Sequence, residues 1–159
     1  MFKVKIITVG TLKEKYIRDA CAEYVKRLSP YAQVEICELK ESRLSEAPAQ
    51  SEIDNALQSE GAQILAAIPA RAHSIALCVE GNQITSERLA QRLIEIQNSA
   101  SCLCFIIGSS YGLSETVKRE CDERLSFSKM TFPHQLMRVL LLEQVYRGFM
   151  INGNRTYHK

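Results

Sequence analysis

Two short runs of this sequence, residues 74–79 and 103–107, are apolar almost without interruption. A strand with one face in water alternates polar and apolar residues, whereas a strand covered on both faces is apolar throughout. Both runs are therefore typical of central strands in a parallel sheet. Because helices must then cover the two faces of that sheet, the runs favour an α/β fold.

The rest of the chain alternates between strand-like and helix-like patterns. Pro30 and Pro69 each close a helix, and Thr85 or Ser86 caps the start of another. With no internal repeat and no linker, this alternation predicts one domain over residues 1–159, an α/β fold with a mostly parallel sheet and helices on both faces. The predicted strands cover residues 2–9, 34–39, 74–79, 103–107 and 125–128; the predicted helices cover 16–28 and 51–68 and begin near 85, 114 and 133.

The composition is that of a folded domain outside the membrane. Hydrophobic residues make up 46% of the chain, and there are only four prolines and seven glycines. No apolar run approaches the ~18 residues that a membrane-spanning helix needs. Residues 1–6 form a charged strand pattern rather than the long apolar run of a signal peptide. We therefore predict a cytoplasmic protein with no membrane partner.

The six cysteines do not suggest a disulfide framework or a metal centre. No C-x-x-C pair and no His/Cys ligand spacing occurs, so no metal site is predicted. We expect all six to be small, buried, reduced side chains. Two of them, Cys21 and Cys121, lie in helical patterns, and four lie in strand-like runs, at Cys37, Cys78, Cys102 and Cys104.

The charge is small overall and uneven along the chain. The formal net charge is +2, but residues 118–159 carry eight Lys or Arg against four acids, and the first 45 residues also lean basic. Such a distribution suits a polyanionic partner such as RNA, although a charged run is also what an ordinary solvated face looks like. Charge alone leaves both interpretations open.

The final helix is apolar around nearly its whole circumference. Pro133 is expected in its first turn, where the missing N–H of proline costs nothing. A helix of this kind must be covered on more than one side. The sheet covers one side, and we predict that a second copy of the chain covers the other, giving a homodimer through the C-terminal helix. Burial within one monomer is the alternative. The apolar positions are Leu136, Met137, Leu140, Leu141, Leu142, Val145, Tyr146, Phe149 and Met150.

Three glycine-bearing or apolar loops follow predicted strands. They begin near Leu77, Gly108 and Phe127. Ligands of open α/β sheets bind at the carboxyl ends of strands, so these loops are the candidate ligand site. Gly108-x-x-x-Gly112 is neither the G-x-G-x-x-G of dinucleotide folds nor a P-loop, so a nucleotide-like ligand would be held by backbone amides and apolar walls.

Two histidines are candidates for chemistry. His134 and Arg138 are one turn apart on the final helix and should point the same way, unless they are merely a capping histidine and a solvated arginine. His158 lies in a basic tail with Arg155, Tyr157 and Lys159, which suits stacking on a base and binding phosphate, unless the tail is disordered. Four serines near His134 raise the option of a hydrolase, but G-x-S-x-G is absent.

A longer set of motifs resembles one known family. The set comprises Phe105-Ile-Ile-Gly108, Tyr111-Gly-Leu113, Leu125-Ser-Phe-Ser-Lys-Met-Thr-Phe-Pro-His134, Arg138, Glu143-Gln-Val-Tyr-Arg147 and Tyr157-His158. Together with the length and the Val-Gly-Thr after the first strand, it closely resembles the SPOUT-class RlmH family, the methyltransferases that modify N3 of a pseudouridine in 23S ribosomal RNA. The one departure is Ser109-Ser110, where relatives often carry Gly-Gly or Gly-Ser.

This resemblance implies a fold, a cofactor and a partner. The fold would be SPOUT-type, with a C-terminal trefoil knot over approximately residues 73–159 and an obligate homodimer. The cofactor would be S-adenosylmethionine, bound by backbone groups and apolar walls of three loops. The cofactor-binding residues carried over are Leu77, Gly108, Phe127, Ser128, Lys129, Met130, Thr131 and Phe132.

The substrate would be ribosomal RNA, and we expect the assembled ribosome rather than free RNA. The N3 proton must be removed, for which a base or a cation is needed. We take His134, Arg138 and His158 as catalytic candidates and Arg155, Tyr157 and Lys159 as RNA-binding candidates, with Arg155 also beside the reacting group and the tail reaching across the dimer. The alternative is a non-catalytic, dimeric ribosome-binding module.

Overall fold

The computed structural model describes residues 1–159 as five strands and five helices. Every strand and helix predicted from the sequence is present, with ends that differ by a few residues. Thr85 caps its helix as expected, since its side chain accepts a hydrogen bond from the backbone N–H of Arg88. The elements are β1 (Phe2–Val9), α1 (Lys15–Leu28), β2 (Ala32–Leu39), α2 (Gln50–Ala67), β3 (Ala72–Asn82), α3 (Ser86–Ser99), β4 (Cys102–Ile107), α4 (Glu115–Glu120), β5 (Glu123–Leu125) and α5 (His134–Asn152).

The strands form one sheet in the order β2-β1-β4-β3-β5, and every neighbouring pair is parallel. The central strand β4 is buried along its entire length, as its apolar sequence predicted. Strand β3 is longer than predicted, and its pairing with β5 shifts between Leu77 and Asn82. Gly81 lies in that irregular stretch, where a Cβ atom would be 2.7 Å from the backbone carbon of Leu125. The close approach of the two strands therefore requires glycine there.

Helices cover both faces of the sheet, which confirms the predicted α/β architecture. Side chains alternate between the faces along each strand. On one face Val4, Ile6 and Phe105 pack against α1, α3 and α5. On the other face Ile7 and Ile106 pack against α2 and α4. No helix is long and apolar enough to cross a bilayer.

Helix α5 lies between α1 and α3 of its own chain. Gly148 packs so closely on α3 that a Cβ atom there would be 2.6 Å from Cδ1 of Leu93. On the α1 side, Tyr31 after that helix stacks on Phe149 with ring centroids 5.9 Å apart. The sheet and these two neighbours account for most of the apolar circumference, so that circumference by itself does not require a second copy. The apolar side chain of α5 left most exposed is Leu136, at 39%.

Two boundaries differ from the sequence expectation. Strand β5 ends at Leu125, whereas residues 125–128 were predicted as the strand. Beyond Leu125 the Ser126 hydroxyl donates to the carbonyl of Ser128, a local bond that competes with strand pairing. Helix α5 begins at His134, and Pro133 precedes it with an extended ψ of 134° instead of occupying the first turn.

All six cysteines are free thiols, as predicted. Four are buried, but Cys37 and Cys78 are only half-buried, because they lie towards the ends of their strands. Burial raises the pKa of the Cys104 thiol to about 12. A thiol with so high a pKa is almost wholly protonated and unreactive at neutral pH.

Candidate functional site

A cavity of about 610 Å³ opens at the carboxyl ends of β3, β4 and β5. These strands are neighbours in the sheet, so the loops that follow them meet at one edge. The cavity is lined by the end of β3, by the loop after β4 and by the loop between β5 and α5. Its volume lies within the range of ~300–1,000 Å³ common for small-molecule sites.

The structure brings the predicted cofactor residues together, with one exception. The lining includes Leu77, Gly108, Phe127, Ser128, Met130, Thr131 and Phe132. Lys129 is not among the lining residues. Met130 is 74% exposed at the rim, so the mouth of the cavity is apolar.

The loop after β4 is a tight turn built on its two glycines. The backbone N–H of Gly112 donates to the carbonyl of Ser109 at 2.9 Å, and Gly112 has a φ of +84°. A Cβ atom on Gly108 would be only 2.2 Å from the carbonyl oxygen of Gly112. Glycine at position 108 is thus what lets the turn close, because a side chain there would occupy the place of the Gly112 carbonyl.

Three of the serines near this cavity, at positions 109, 126 and 128, have structural roles. Ser109 is buried in the turn, and Ser126 donates to the carbonyl of Ser128. The Ser128 hydroxyl accepts a hydrogen bond from the N–H of Met130 at 3.0 Å. These bonds shape the loops, and no serine is hydrogen-bonded to His134, so the arrangement lacks the nucleophile–base pair of a serine hydrolase.

An ion pair at the cavity wall was missed by the sequence analysis. Glu80, in the last part of β3, pairs with Lys118 of α4, and both line the cavity. The hydrogen bond from Lys118 lowers the pKa of the Glu80 carboxyl below its ordinary value. Burial lowers the pKa of Lys118, but the hydrogen bonds with Glu80 and Glu115 outweigh it and leave that pKa raised. The only hint of this pair in the sequence is that a charged residue, Glu80, directly follows an apolar strand pattern.

His134 and Arg138 do not share a site. His134 lines the cavity at the first turn of α5. Arg138 is buried on the side of β1 and β2, where it donates to Glu38 at 2.9 Å and to the Thr8 hydroxyl at 3.0 Å. The expectation that the two side chains point the same way is therefore wrong, because the long arginine side chain reaches the carboxylate on β2 instead.

The C-terminal tail folds back onto its own chain. His158 Nε2 lies 2.8 Å from Glu87 Oε1, and its Nδ1 lies 3.1 Å from Nη1 of Arg147. The Tyr157 hydroxyl donates to Glu143 at 3.1 Å, and its ring lies edge-on to Tyr146 at 4.9 Å. Burial, followed by the hydrogen bond with Tyr24, raises the pKa of Tyr157 to about 12.

The tail and the cavity lie at opposite ends of α5 within one chain. Arg147, which contacts His158 of the tail, follows His134 by thirteen residues, about 20 Å at 1.5 Å per residue. His158 and Tyr157 are half-buried against the helices, whereas Arg155 and Lys159 are exposed. None of these four residues lines the cavity of its own chain.

Comparisons with known proteins point to one family. A family model described as predicted SPOUT methyltransferase matches residues 2–158. The chain is 47% identical over 157 residues to the ribosomal RNA large subunit methyltransferase H of Bacillus pumilus, covering 98% of this chain and 99% of the relative. It is 48% identical over the same length and coverage to the protein of that name in Bacillus thuringiensis.

A solved structure shares the fold. It is described as a probable methylase family protein from Haemophilus influenzae and superposes with a TM-score of 0.54 at 12% sequence identity. The match covers 95% of this chain and 66% of the other. At that identity it supports the shared fold alone.

Proposed function

Because this chain belongs to the SPOUT methyltransferase family, we propose that it transfers a methyl group from S-adenosylmethionine to N3 of a pseudouridine in large-subunit ribosomal RNA. The observation that carries the proposal is the convergence of three strand-end loops on one cavity lined by Leu77, Gly108 and residues 127–132, apart from Lys129. We further propose the assembled ribosome as substrate. A net charge of only +2 is low for a protein that binds free RNA by charge alone.

The cavity residues fit this cofactor. Leu77, Phe127 and Phe132 offer apolar walls for an adenine ring, and Gly108 lines the same cavity with backbone atoms alone. Glu80 and Lys118 present opposite charges on the same wall, which match the ammonium and carboxylate of the methionine end. When bound, S-adenosylmethionine would supply a methyl group already activated on a sulfonium. The protein then mainly has to position the acceptor and exclude water, effects worth up to ~7–11 kcal/mol when alignment is good.

His134 is the residue best placed to handle the acceptor's proton. It lies at the cavity wall on the first turn of α5, where its imidazole is held by a regular helix. A neutral imidazole accepts the N3 proton, and the resulting cation stabilises negative charge on the base. Arg138 is buried in its pair with Glu38, so we assign it no contact with the reacting atoms.

The tail residues would act in the cavity of a second copy. The α5 residues that Tyr157 and His158 contact, Glu143 and Arg147, follow His134 by nine and thirteen residues, roughly 14 and 20 Å along the helix. A homodimer through the exposed part of α5, around Leu136, would bring the tail of one copy towards the cavity of the other. Met130 and Phe132, in the loop that leads into this helix, are also exposed apolar side chains, which supports an interface there.

We also propose the trefoil knot of the SPOUT class over residues 73–159. Strand β5 is at one edge of the sheet, yet the helix that follows it lies between α1 and α3. The connecting residues 126–133 must therefore travel back across the carboxyl ends of the strands. Such a return path is what a knotted connection requires, in contrast to the unthreaded connections of most folds.

The decisive experiment combines binding and turnover. We expect heat on titration of the purified protein with S-adenosylmethionine, and transfer of labelled methyl to ribosomes from cells that lack this protein. Mass spectrometry of the 23S RNA should locate the label on a pseudouridine. His134→Ala should keep the heat of binding and lose at least about a hundredfold in transfer rate. A protein that binds ribosomes but gives no heat with S-adenosylmethionine would be the non-catalytic module instead.

A further inference from the structure

The six tyrosines of this chain fall into two groups. Four are half-buried and pack on other aromatic rings, at positions 24, 31, 146 and 157. The other two, Tyr16 and Tyr111, are 70% and 45% exposed and belong to neither hydrophobic cluster of the core. Tyrosine presents a flat ring that is mostly apolar, so the fold leaves two such rings in water without a packing role.

Both exposed tyrosines lie at the carboxyl edge of the sheet. Tyr111 is in the turn after β4 and lines the cofactor cavity. Tyr16 is in the first turn of α1, directly after the loop that follows β1. Strands β1 and β4 are parallel neighbours, about 4.8 Å apart, so the loops that follow them leave the sheet side by side. The two rings therefore lie on the side of the molecule where the cofactor cavity opens.

Hydrogen bonds fix the backbone that carries each ring. Arg18 Nη1 donates to the backbone carbonyls of residues 12 and 13, at 3.2 and 2.9 Å, which holds the loop just before Tyr16. The turn that carries Tyr111 is closed by the N–H of Gly112, which donates to the carbonyl of residue 109 at 2.9 Å. A ring presented on a fixed backbone loses little conformational freedom when a partner binds, and this favours affinity.

Lysines without an ion pair lie at the same edge. Lys13 is in the loop after β1, and Lys129 is in the loop after β5; both are exposed. Lys129 is also the one residue of the 127–132 loop that does not line the cofactor cavity. The acidic Glu14, next to Lys13, offsets part of this charge, so charge alone does not define the partner. Exposed rings together with free ammonium groups are the combination that stacks on bases and binds phosphates.

We propose that this edge, formed by Lys13, Tyr16, Tyr111 and Lys129, binds the RNA strand that flanks the methylated residue. The two rings stack on unpaired bases, and the two lysines contact phosphates. An unpaired segment is required, because the bases of a duplex are stacked on one another and are not free to stack on a side chain. This inference rests on the proposed function, because it takes the substrate to be RNA.

The test uses the full-length protein with S-adenosylmethionine and ribosomes that lack the modification. Tyr16→Ala and Tyr111→Ala remove the rings, whereas Tyr16→Phe and Tyr111→Phe keep them. Ile94→Ala is the matched control, because Ile94 is 45% exposed on α3. Lys13→Gln is compared with Lys26→Gln, since Lys26 is an exposed lysine in the last turn of α1, about 15 Å along the helix from Tyr16.

We expect each alanine variant to raise KM for ribosomes by about tenfold, and both phenylalanine variants to keep the wild-type KM, since stacking needs the ring and not the hydroxyl. Binding of S-adenosylhomocysteine should be unchanged in the alanine variants. Lys13→Gln should reduce the slope of log ribosome affinity against log salt by about 0.7, and Lys26→Gln should leave that slope unchanged. Tyr16→p-benzoylphenylalanine should crosslink to 23S RNA under ultraviolet light.

Wild-type KM in the alanine variants, an equal rise in Ile94→Ala, or a crosslink to a ribosomal protein overturns the inference. Weaker binding of S-adenosylhomocysteine in Tyr111→Ala, with no change in Tyr16→Ala, would make Tyr111 a cofactor residue and also overturn it. A wild-type protein that gives no heat with S-adenosylmethionine or no transfer to ribosomes would instead overturn the proposed function, so the two failures are distinguishable.

Discussion

His158 Nε2 lies 2.8 Å from Glu87 Oε1, so the end of the chain is tied to the first turn of α3 in its own subunit. Glu87 is exposed, His158 is half-buried, and Arg147 contacts the other ring nitrogen of His158. A hydrogen bond to an exposed carboxylate contributes little net free energy, because water competes for the same oxygen. The proposed function requires the tail to leave this contact and reach a second copy.

Release of the tail should therefore not harm catalysis. Glu87→Ala removes the contact that His158 makes within its own subunit. We therefore expect unchanged or faster methyl transfer and faster amide exchange at residues 156–159. His158→Ala should slow transfer by about tenfold or more, since it removes a group that acts in the partner's cavity. Equal losses in the two variants would mean that the docked tail is the active arrangement. Transfer rates and hydrogen exchange measured on the same preparations decide between them.

The glycine at position 108 should be irreplaceable. Gly108→Ala places a Cβ atom 2.2 Å from the carbonyl oxygen of Gly112, so the turn after β4 has to open. We expect a loss of about 1–3 kcal/mol in the free energy of unfolding, and at least a tenfold weaker binding of S-adenosylmethionine. Gly153→Ala is the control, because its Cβ would meet only ordinary contacts, the nearest at 3.4 Å. Urea unfolding and titration calorimetry measure the two effects, and wild-type affinity in Gly108→Ala would contradict the assignment of this turn.

The Glu80–Lys118 pair should recognise only one end of the cofactor. We expect Glu80→Gln and Lys118→Met to weaken binding of S-adenosylhomocysteine by about tenfold, since each removes one charge that matches its amino-acid end. Binding of 5′-methylthioadenosine, which lacks the amino and carboxyl groups, should be unchanged. Glu115→Gln serves as control, because Glu115 contacts Lys118 at 3.3 Å but does not line the cavity. If the variants bound both ligands more weakly to the same extent, the pair would act only through the shape of the cavity.

His73 should make stability fall as the solution becomes more acidic. Burial lowers the pKa of His73 below its ordinary value, and Arg92 shares the Glu123 carboxylate oxygen that lies 2.7 Å from the ring. The unfolded chain therefore binds the proton more readily than the native one. This contribution to stability is fully present above the unfolded pKa of about 6.5 and is lost as the pH falls from there towards the lower native value.

Urea unfolding at several pH values checks this prediction. In His73→Asn the slope of stability against pH between about pH 5 and 7 should be smaller than in the wild type. His134→Asn is the comparison, since it replaces a histidine elsewhere in the fold. Identical slopes in His73→Asn and in the wild type would assign the acid sensitivity to other groups.

Leu136 should be central to the proposed dimer. Leu136→Asp introduces a charge on the exposed apolar side of α5, so we expect a shift from dimer to monomer in sedimentation experiments. Ile94→Asp, at a similarly exposed leucine-sized side chain on α3, should leave the dimer intact. The monomer should also lose methyl transfer if the tail works across the interface. If the wild-type chain sedimented as a monomer, the proposed homodimer, and with it the action of the tail in a partner's cavity, would be wrong.

Much of the fold was predictable because burial leaves a local pattern. The apolar runs at residues 74–79 and 103–107 predicted two central parallel strands, and β4 is buried throughout. The apolar loop at residues 127–132 also predicted its place at a ligand cavity. The final helix shows where this reasoning stopped: its apolar circumference predicted a second copy, but α1 and α3 of the same chain already cover most of it.

The sequence by itself determined the order of strands and helices, the parallel sheet and the edge at which ligands bind, because these follow from short-range periodicity and from the topology of parallel strands. Only the tertiary structure decided that Arg138 pairs with Glu38 instead of joining His134, that Glu80 meets Lys118, and that His158 docks on Glu87. Each of these contacts joins residues at least 38 positions apart, as Glu80 and Lys118 are. Long side chains reach partners that are set by the packing of whole elements, and no local pattern encodes that reach.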